Sequence, residues 1–138
     1  VYFGDASAAR RLAREVNQAA AQIKRAHPDR FGYFASLPLP GIDGALDEIG
    51  HAFTDGADGV IWMTSTAGHY LGDPKLAPVL AELDRRAAVL FVHPTSCAGH
   101  EALALGRPGA SWSSCSTPHA PSSTSCSAAP RTAIPIYV

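Results

Sequence analysis

His93 stands directly after Val89-Leu90-Phe91-Val92 and directly before Pro94-Thr95. An apolar run of that length reads as a strand. Strands of parallel sheets present their chemistry at the carboxyl end. An imidazole placed there can ligate a divalent metal or pass a proton. The plainer alternative is an imidazole that only hydrogen-bonds a loop carbonyl. Two other strand ends carry hydroxyls, Ser36-Leu37-Pro38 and Met63-Thr64-Ser65. His69, in the loop from Thr64 to Tyr70, and His100, beyond His93, are candidate substrate contacts in the same crevice, against the alternative that both are merely solvated. Cys97 follows Thr95 closely, but no neighbour in sequence would depress its pKa, so an idle thiol is expected. His27 and His51 fall on helical or helix-end positions and read as surface, as do Arg10-Arg11 and Arg85-Arg86. The chain carries no G-x-G-x-x-G after a strand, no G-x-x-x-x-G-K-[ST] and no G-x-S-x-G.

Alternating helices and strands must hold those residues. Residues 6–26 have helical spacing, with Leu12, Val16, Ala19, Ala20 and Ile23 expected inward. Arg10, Arg11, Arg14, Lys24 and Arg25 are expected outside, and Asp5 or Ser7 can cap the start. Residues 31–39 form an apolar run closed by Pro38 and Pro40, read as a buried strand. A second helix is expected from Ile42 to about Phe53, a strand over 59–63, a third helix over 74–86 and a strand over 89–92. Strands apolar at every position are buried on both faces, the mark of a parallel sheet under helices. Strand–helix alternation at this spacing gives right-handed βαβ units. Three strands with helices on one side leave the other face open. The fold class is therefore α/β, an excerpt of about three βα units from a barrel or a doubly wound sheet.

Composition sets the outer limits. The chain has 138 residues, 12 acidic and 11 basic side chains and a net charge of -1. With 46% hydrophobic and 17% charged residues, it fits one soluble globular domain. The charge balance argues against nucleic acid as partner. No apolar run approaches the roughly 18 residues that cross a bilayer, and no secretory signal is visible, so neither a membrane partner nor export is expected. Three cysteines without a C-x-x-C pair fit a reducing, cytoplasmic setting. Residues 107–138 differ from the rest: they contain no Asp, Glu or Lys and are rich in Ser and Pro. By composition that tail is low-complexity and is expected to be disordered, which divides the chain at 1–106 and 107–138. Codons for Cys, Trp and most Ser begin with T. Shifted by one base, that T takes the second position, which encodes apolar residues. Ser111-Trp112-Ser113-Ser114-Cys115-Ser116 therefore reads as the out-of-frame image of an apolar helix, set against a native Ser/Pro tail. On the frameshift reading His119, Cys115 and Cys126 have no selected role.

Several strings taken together carry a family likeness: Arg14-Glu15-Val16-Asn17, His27-Pro28-Asp29-Arg30-Phe31-Gly32, Leu37-Pro38-Leu39-Pro40, Tyr70-Leu71-Gly72-Asp73-Pro74, and Val89-Leu90-Phe91-Val92-His93-Pro94-Thr95. Residues 1–106 resemble the amidohydrolase-related metal-dependent decarboxylases, the aminocarboxymuconate-semialdehyde decarboxylase family, and within it the 6-methylsalicylate decarboxylase-like branch. The resemblance implies a (β/α)8 TIM barrel with a divalent metal, zinc by expectation, at its carboxyl-terminal mouth. It implies non-oxidative loss of CO2 from an aromatic or unsaturated small carboxylate, and dimers in the intact family. The family's metal is held by an H-x-H pair, a mid-barrel histidine and a late aspartate. Only the mid-barrel histidine maps onto this sequence, at His93. The expectation is accordingly a fragment that is inactive alone. Two alternatives stand beside it: a metal-dependent hydrolase on the same barrel, and a non-catalytic gene remnant.

Overall fold

Asp5 starts the first helix: its carboxylate accepts from the backbone N–H groups of Ser7 and Ala8 at 2.8 and 3.1 Å. Those bonds, that of Ala8 foremost, hold the Asp5 carboxyl below its ordinary pKa. A negative charge at a helix start and the Lys24–Arg25 pair in its last turn both suit the helix dipole. In this computed structural model, which describes residues 4–95 and the backbone of 136–137, helix α1 spans Ala6–Ala26. Strand β1 (Phe34–Ser36), helix α2 (Ile42–Thr54) and strand β2 (Gly59–Met63) follow. Then come a hairpin of β3 (Ser65–Thr66) and β4 (His69–Tyr70), a 3-10 turn (Pro74–Leu76), α3 (Ala77–Arg85), β5 (Val89–His93) and β6 (Ile136–Tyr137). No helix among the described residues is long and apolar enough to cross a membrane.

The main sheet is ordered β1-β2-β5-β6 and its strands pair in parallel. The crossover helices pack on one face only. Ala35, Val60, Trp62, Leu90 and Val92 are buried there with Ala45, Ile49, Ala52, Val79 and Leu83 from the helices. Alternate strand residues point the other way, so Phe34 and Met63 are 42% and 40% exposed and Ile61 and Phe91 are half-buried. Among the described residues, helices thus cover the strands on one face and leave the other open. On the open face the Phe34 and Phe91 rings lie 5.8 Å apart. The Phe34 ring lies over Gly59, where a Cβ would come 2.7 Å from that ring and closer still to the Val89 carbonyl. Fourth strand β6 comes from the segment that composition set apart as tail.

Three expectations are corrected. The buried stripe of α1 is Ala9, Ala13, Asn17 and Ala21, while Val16 and Ile23 are 44% and 51% exposed. Small side chains let α1 lie close against β1 and α2. The larger aliphatic stripe falls on its outer flank, and periodicity alone does not choose between two adjacent stripes. With that rotation Arg14 and Lys24 turn from solvent to partners: Arg14 pairs with Glu48, and Lys24 with Asp58 and the Gly56 carbonyl. The strand expected over 31–39 is only three residues long. Tyr33 gives its N–H to the Asp58 carboxylate at 2.8 Å, and the ladder with β2 begins at Phe34. Beyond Ser36 the chain meets Pro38 and Pro40, which offer a ladder no N–H. The third helix likewise opens as a 3-10 turn, with the Asp73 side chain bonded to the Lys75 N–H.

Candidate functional site

The carboxyl ends of β2 and β5 are fastened together by two hydroxyls. Thr64 donates its backbone N–H to the His93 carbonyl at 3.0 Å. Thr95 N–H donates to Thr64 Oγ1 at 2.9 Å, Ser65 N–H donates to Thr95 Oγ1 at 3.1 Å, and the two hydroxyls share a bond at 2.9 Å. This lock joins the tip of β5 to the β3–β4 hairpin. His93 ends β5 beside Met63, its register partner on β2. Leu90 and Val92 are buried beneath the helices, so alternation sends Phe91 and His93 to the open face. The imidazole is exposed, and its Nδ1 lies 2.8 Å from the Pro94 carbonyl oxygen. A carbonyl only accepts, so that contact puts the proton on Nδ1 and leaves the Nε2 lone pair free.

A pocket opens at the same edge, walled by Leu37, Leu39, Ile61 and Met63 with the more polar Ser36 and Thr66. Trp62 also lines it; its buried Nε1 has no hydrogen-bond partner among the described residues. Thr66 is the cross-strand partner of His69 in the hairpin. The hairpin turns through Ala67 and Gly68, at φ 50° and 81°, the left-handed pair of a two-residue turn. His69 donates from Nδ1 to the Asp73 carboxylate at 2.6 Å. That bond first, and the Lys75 N–H second, hold Asp73 below its usual carboxylate pKa.

On the far side of the pocket a second polar cluster fixes Ser36. Asn17 accepts the Ser36 N–H at 2.8 Å and donates to the Ser36 carbonyl at 2.9 Å. Its amide also donates to Glu48 at 2.8 Å, and Arg14 Nε donates to the other Glu48 oxygen at 2.7 Å. Asn17 and Glu48 are both 3% exposed. A buried charge requires such pairing. The Asn17 amide does for the outer edge of β1 what a neighbouring strand would do.

Of the residues singled out from sequence, His93 and His69 both fall at the carboxyl edge of the sheet, on separate elements. His100 and the three cysteines lie outside the described residues. No group of three or more His, Cys, Asp or Glu side chains that would hold a metal occurs among the described residues. His93 therefore supplies a donor of the right chemistry, but not a complete set. Sequence reading missed Asp73 as the orienting partner of His69, although its i,i+4 spacing was available. It also missed Asn17 and Glu48, whose partnership spans 31 positions and has no local signature.

Comparison with known proteins bears on the same residues. The Amidohydro_2 family model, described as amidohydrolase, matches residues 2–130. The 6-methylsalicylic acid decarboxylase acuB of Aspergillus aculeatus is 47% identical over 95 residues, covering 66% of this chain and 29% of that protein. The crystal structure of 2,6-dihydroxybenzoate decarboxylase from Rhizobium superposes with a TM-score of 0.70 at 25% identity, over 80% of this chain and 38% of the other. A 5-carboxyvanillate decarboxylase from Novosphingobium aromaticivorans, solved with bound manganese, gives a TM-score of 0.65 at 26% identity, over 68% and 27%. The chain thus spans less than a third of the curated relative's length.

Proposed function

The chain belongs to the amidohydrolase family whose model matches residues 2–130, and from that premise we propose that it is a segment of a metal-dependent decarboxylase of aromatic carboxylates. One observation carries the reading: His93 stands at a strand tip on the open face with Nδ1 spent on a carbonyl and Nε2 free. That is the state of a histidine ready to ligate, because the bond at one nitrogen fixes the tautomer and aims the other. In this reading His93 is one ligand of a divalent ion, zinc by preference, and His69 and His100 contact the substrate.

A bound divalent ion supplies Lewis acidity for the charge that develops as CO2 leaves. The chain's own residues do the positioning. The Thr64–Thr95 lock holds the tip that carries His93. Leu37, Leu39, Ile61 and Met63 offer an apolar wall for a ring and exclude water from it. A catalytic metal needs about three protein ligands with one position open. Among the described residues His93 alone falls short of that, and the 138-residue chain by itself is expected to release no CO2. The tail boundary after residue 106 belongs to the same proposal, and the DNA sequence of the gene, read in all frames, tests it.

A chimera tests the function. Residues 2–95 would replace the matching segment of the Aspergillus aculeatus decarboxylase. We expect the chimera to release CO2 from 6-methylsalicylate and expect His93→Ala to cut turnover about a hundredfold or more. A folded chimera without turnover, or one indifferent to His93→Ala, overturns the reading.

A further inference from the structure

The pocket at the strand ends holds two hydroxyls that the fold keeps in place and does not use. Ser36 and Thr66 both line it, and neither hydroxyl has a hydrogen-bond partner among the described residues. Ser36 is clamped through its backbone. Asn17 accepts its N–H and donates to its carbonyl, and the bond from Asn17 to Glu48 fixes that amide in turn. Ala35 is buried beneath the helices, so alternation turns Ser36 to the open face beside Ile61, its register partner. Thr66 is held from the neighbouring residue, where Ser65 bonds Thr95. A hydroxyl on a fixed backbone, with no internal partner, is available to a ligand.

The walls define the rest of that ligand. Leu37, Leu39, Ile61 and Met63 are apolar, and no lining residue is charged. An anion drawn among them would lose its water and find no counter-ion. The volume of about 100 Å³ suits one small ring at most, since a cavity of about 150 Å³ holds benzene. Loss of CO2 makes such a ligand. In 6-methylsalicylate the hydroxyl stands beside the carboxylate and donates to it. When the ring–carboxyl bond breaks, CO2 leaves and a proton takes its place on the ring. What remains is 3-methylphenol, uncharged and with its hydroxyl released.

We propose that this pocket binds an uncharged alkylphenol, the decarboxylated ring, whose hydroxyl pairs with Ser36 and whose carbon frame packs on Leu37, Leu39, Ile61 and Met63. The choice of a phenol rests on the decarboxylase reading; the recognition itself requires no metal. The ring settles there once its charge has gone, so the pocket favours product over substrate. A site that pairs a hydroxyl also rejects the analogue lacking it, because the serine then loses water and gains nothing.

The test uses the full 138-residue chain with a chelator present. Trp62 lines the pocket, and Trp112→Phe leaves its indole N–H as the one such signal. Dissociation constants would be measured by NMR titration for three rings: 3-methylphenol, toluene, which lacks the hydroxyl, and 6-methylsalicylate, which adds the carboxylate. We expect 3-methylphenol to bind about tenfold more tightly than either and to shift the Trp62 indole resonance. Ser36→Ala should bring 3-methylphenol within about twofold of toluene and leave toluene unchanged. Ser36→Thr, which keeps a hydroxyl, should restore the preference. A purely structural serine would lower stability and leave the ratio of constants unchanged. No binding of 3-methylphenol, binding that leaves Trp62 unmoved, or a preference over toluene that survives Ser36→Ala each overturns the proposal. So does toluene or 6-methylsalicylate binding as tightly as 3-methylphenol. Should Ser36→Ala unfold, the ratios in the unmodified chain and the Trp62 shift decide. A chain that prefers 3-methylphenol while the chimera releases no CO2 retires the decarboxylase reading and keeps this site. An active chimera beside a chain without that preference does the reverse.

Discussion

Two polar clusters flank the carboxyl edge of one sheet, and they are built on opposite plans. Around β1, Asn17, Glu48 and Arg14 satisfy one another and the Ser36 backbone, with Asn17 and Glu48 almost wholly buried. Around β5 and the hairpin, His93 and His69 each spend one nitrogen on a fixed acceptor and leave the other open. In the first cluster every polar side-chain atom of the buried pair, Asn17 and Glu48, is engaged. The second is partly satisfied by design of its position, on a face that the helices do not cover. Full pairing marks a group that holds the fold, and half pairing of an oriented imidazole marks one available for chemistry. If this is right, the two clusters respond to substitution in opposite ways.

Asn17→Leu should have the largest effect. It strips partners from the Ser36 N–H, the Ser36 carbonyl and Glu48 at once, and leaves the carboxylate buried with Arg14 alone. We expect a loss of about 3–5 kcal/mol in urea unfolding, the range for breaking a buried charged network. Glu48→Ala comes next. It orphans one Asn17 amide hydrogen and opens a cavity, but Arg14, about a third exposed, can turn to water. About 2–3 kcal/mol is expected. The double variant should lose less than the sum by about 1 kcal/mol or more, since the two residues share one bond network. Strict additivity would break the claim that the cluster acts as a unit.

The difference between the clusters also explains what could be read from sequence. Strand β2 at 59–63 and helix α1 at 6–26 were legible to the residue, because each has an unbroken apolar run or period between clear stops. The tip position of His93 followed from the strand before it. The facing of α1 did not follow. Its alanines and its larger aliphatics form adjacent stripes, and the choice depends on a buried asparagine whose partners are 19 and 31 residues away. The late start of β1 was equally hidden, since the Tyr33 N–H is claimed by the Asp58 side chain 25 residues away. Local pattern encodes elements; contacts between distant side chains decide their rotation and length. The open cluster was half legible for the same reason: the histidines announce themselves, while Asp73 gains meaning only once the hairpin has placed His69 beside it.

Acid should probe an intermediate case, the exposed pair of Lys24 and Asp58. The Lys24 ammonium first, then the Tyr33 N–H, holds the Asp58 carboxyl below its ordinary value of 3.8. With the folded value depressed, the unfolded chain binds the proton first as pH falls. The stabilisation is therefore fully present above the ordinary value and is lost as pH falls through the lower folded one. Solvent screens a pair whose side chains are 26% and 45% exposed, so the effect is small. Lys24→Met should flatten the acid limb of the stability curve as pH falls below the ordinary value of 3.8. An unchanged limb would show that this pair contributes nothing.

His93→Ala should disturb the fold least, and that small effect is the sharpest test of the contrast. The ring is exposed, beyond the last buried residue of β5, and its one bond is to the carbonyl of the next residue. The Thr64–Thr95 lock, which holds the strand tip, uses the His93 backbone and not its side chain. Urea unfolding should therefore change by no more than about 0.5 kcal/mol. A loss comparable to that of Glu48→Ala would mean that the imidazole belongs to the structural network after all. A stable variant whose weak zinc-induced shifts vanish from the β5 tip in NMR spectra would instead separate the two clusters cleanly. The paired one would hold the edge of the sheet, and the open one would face whatever is bound there.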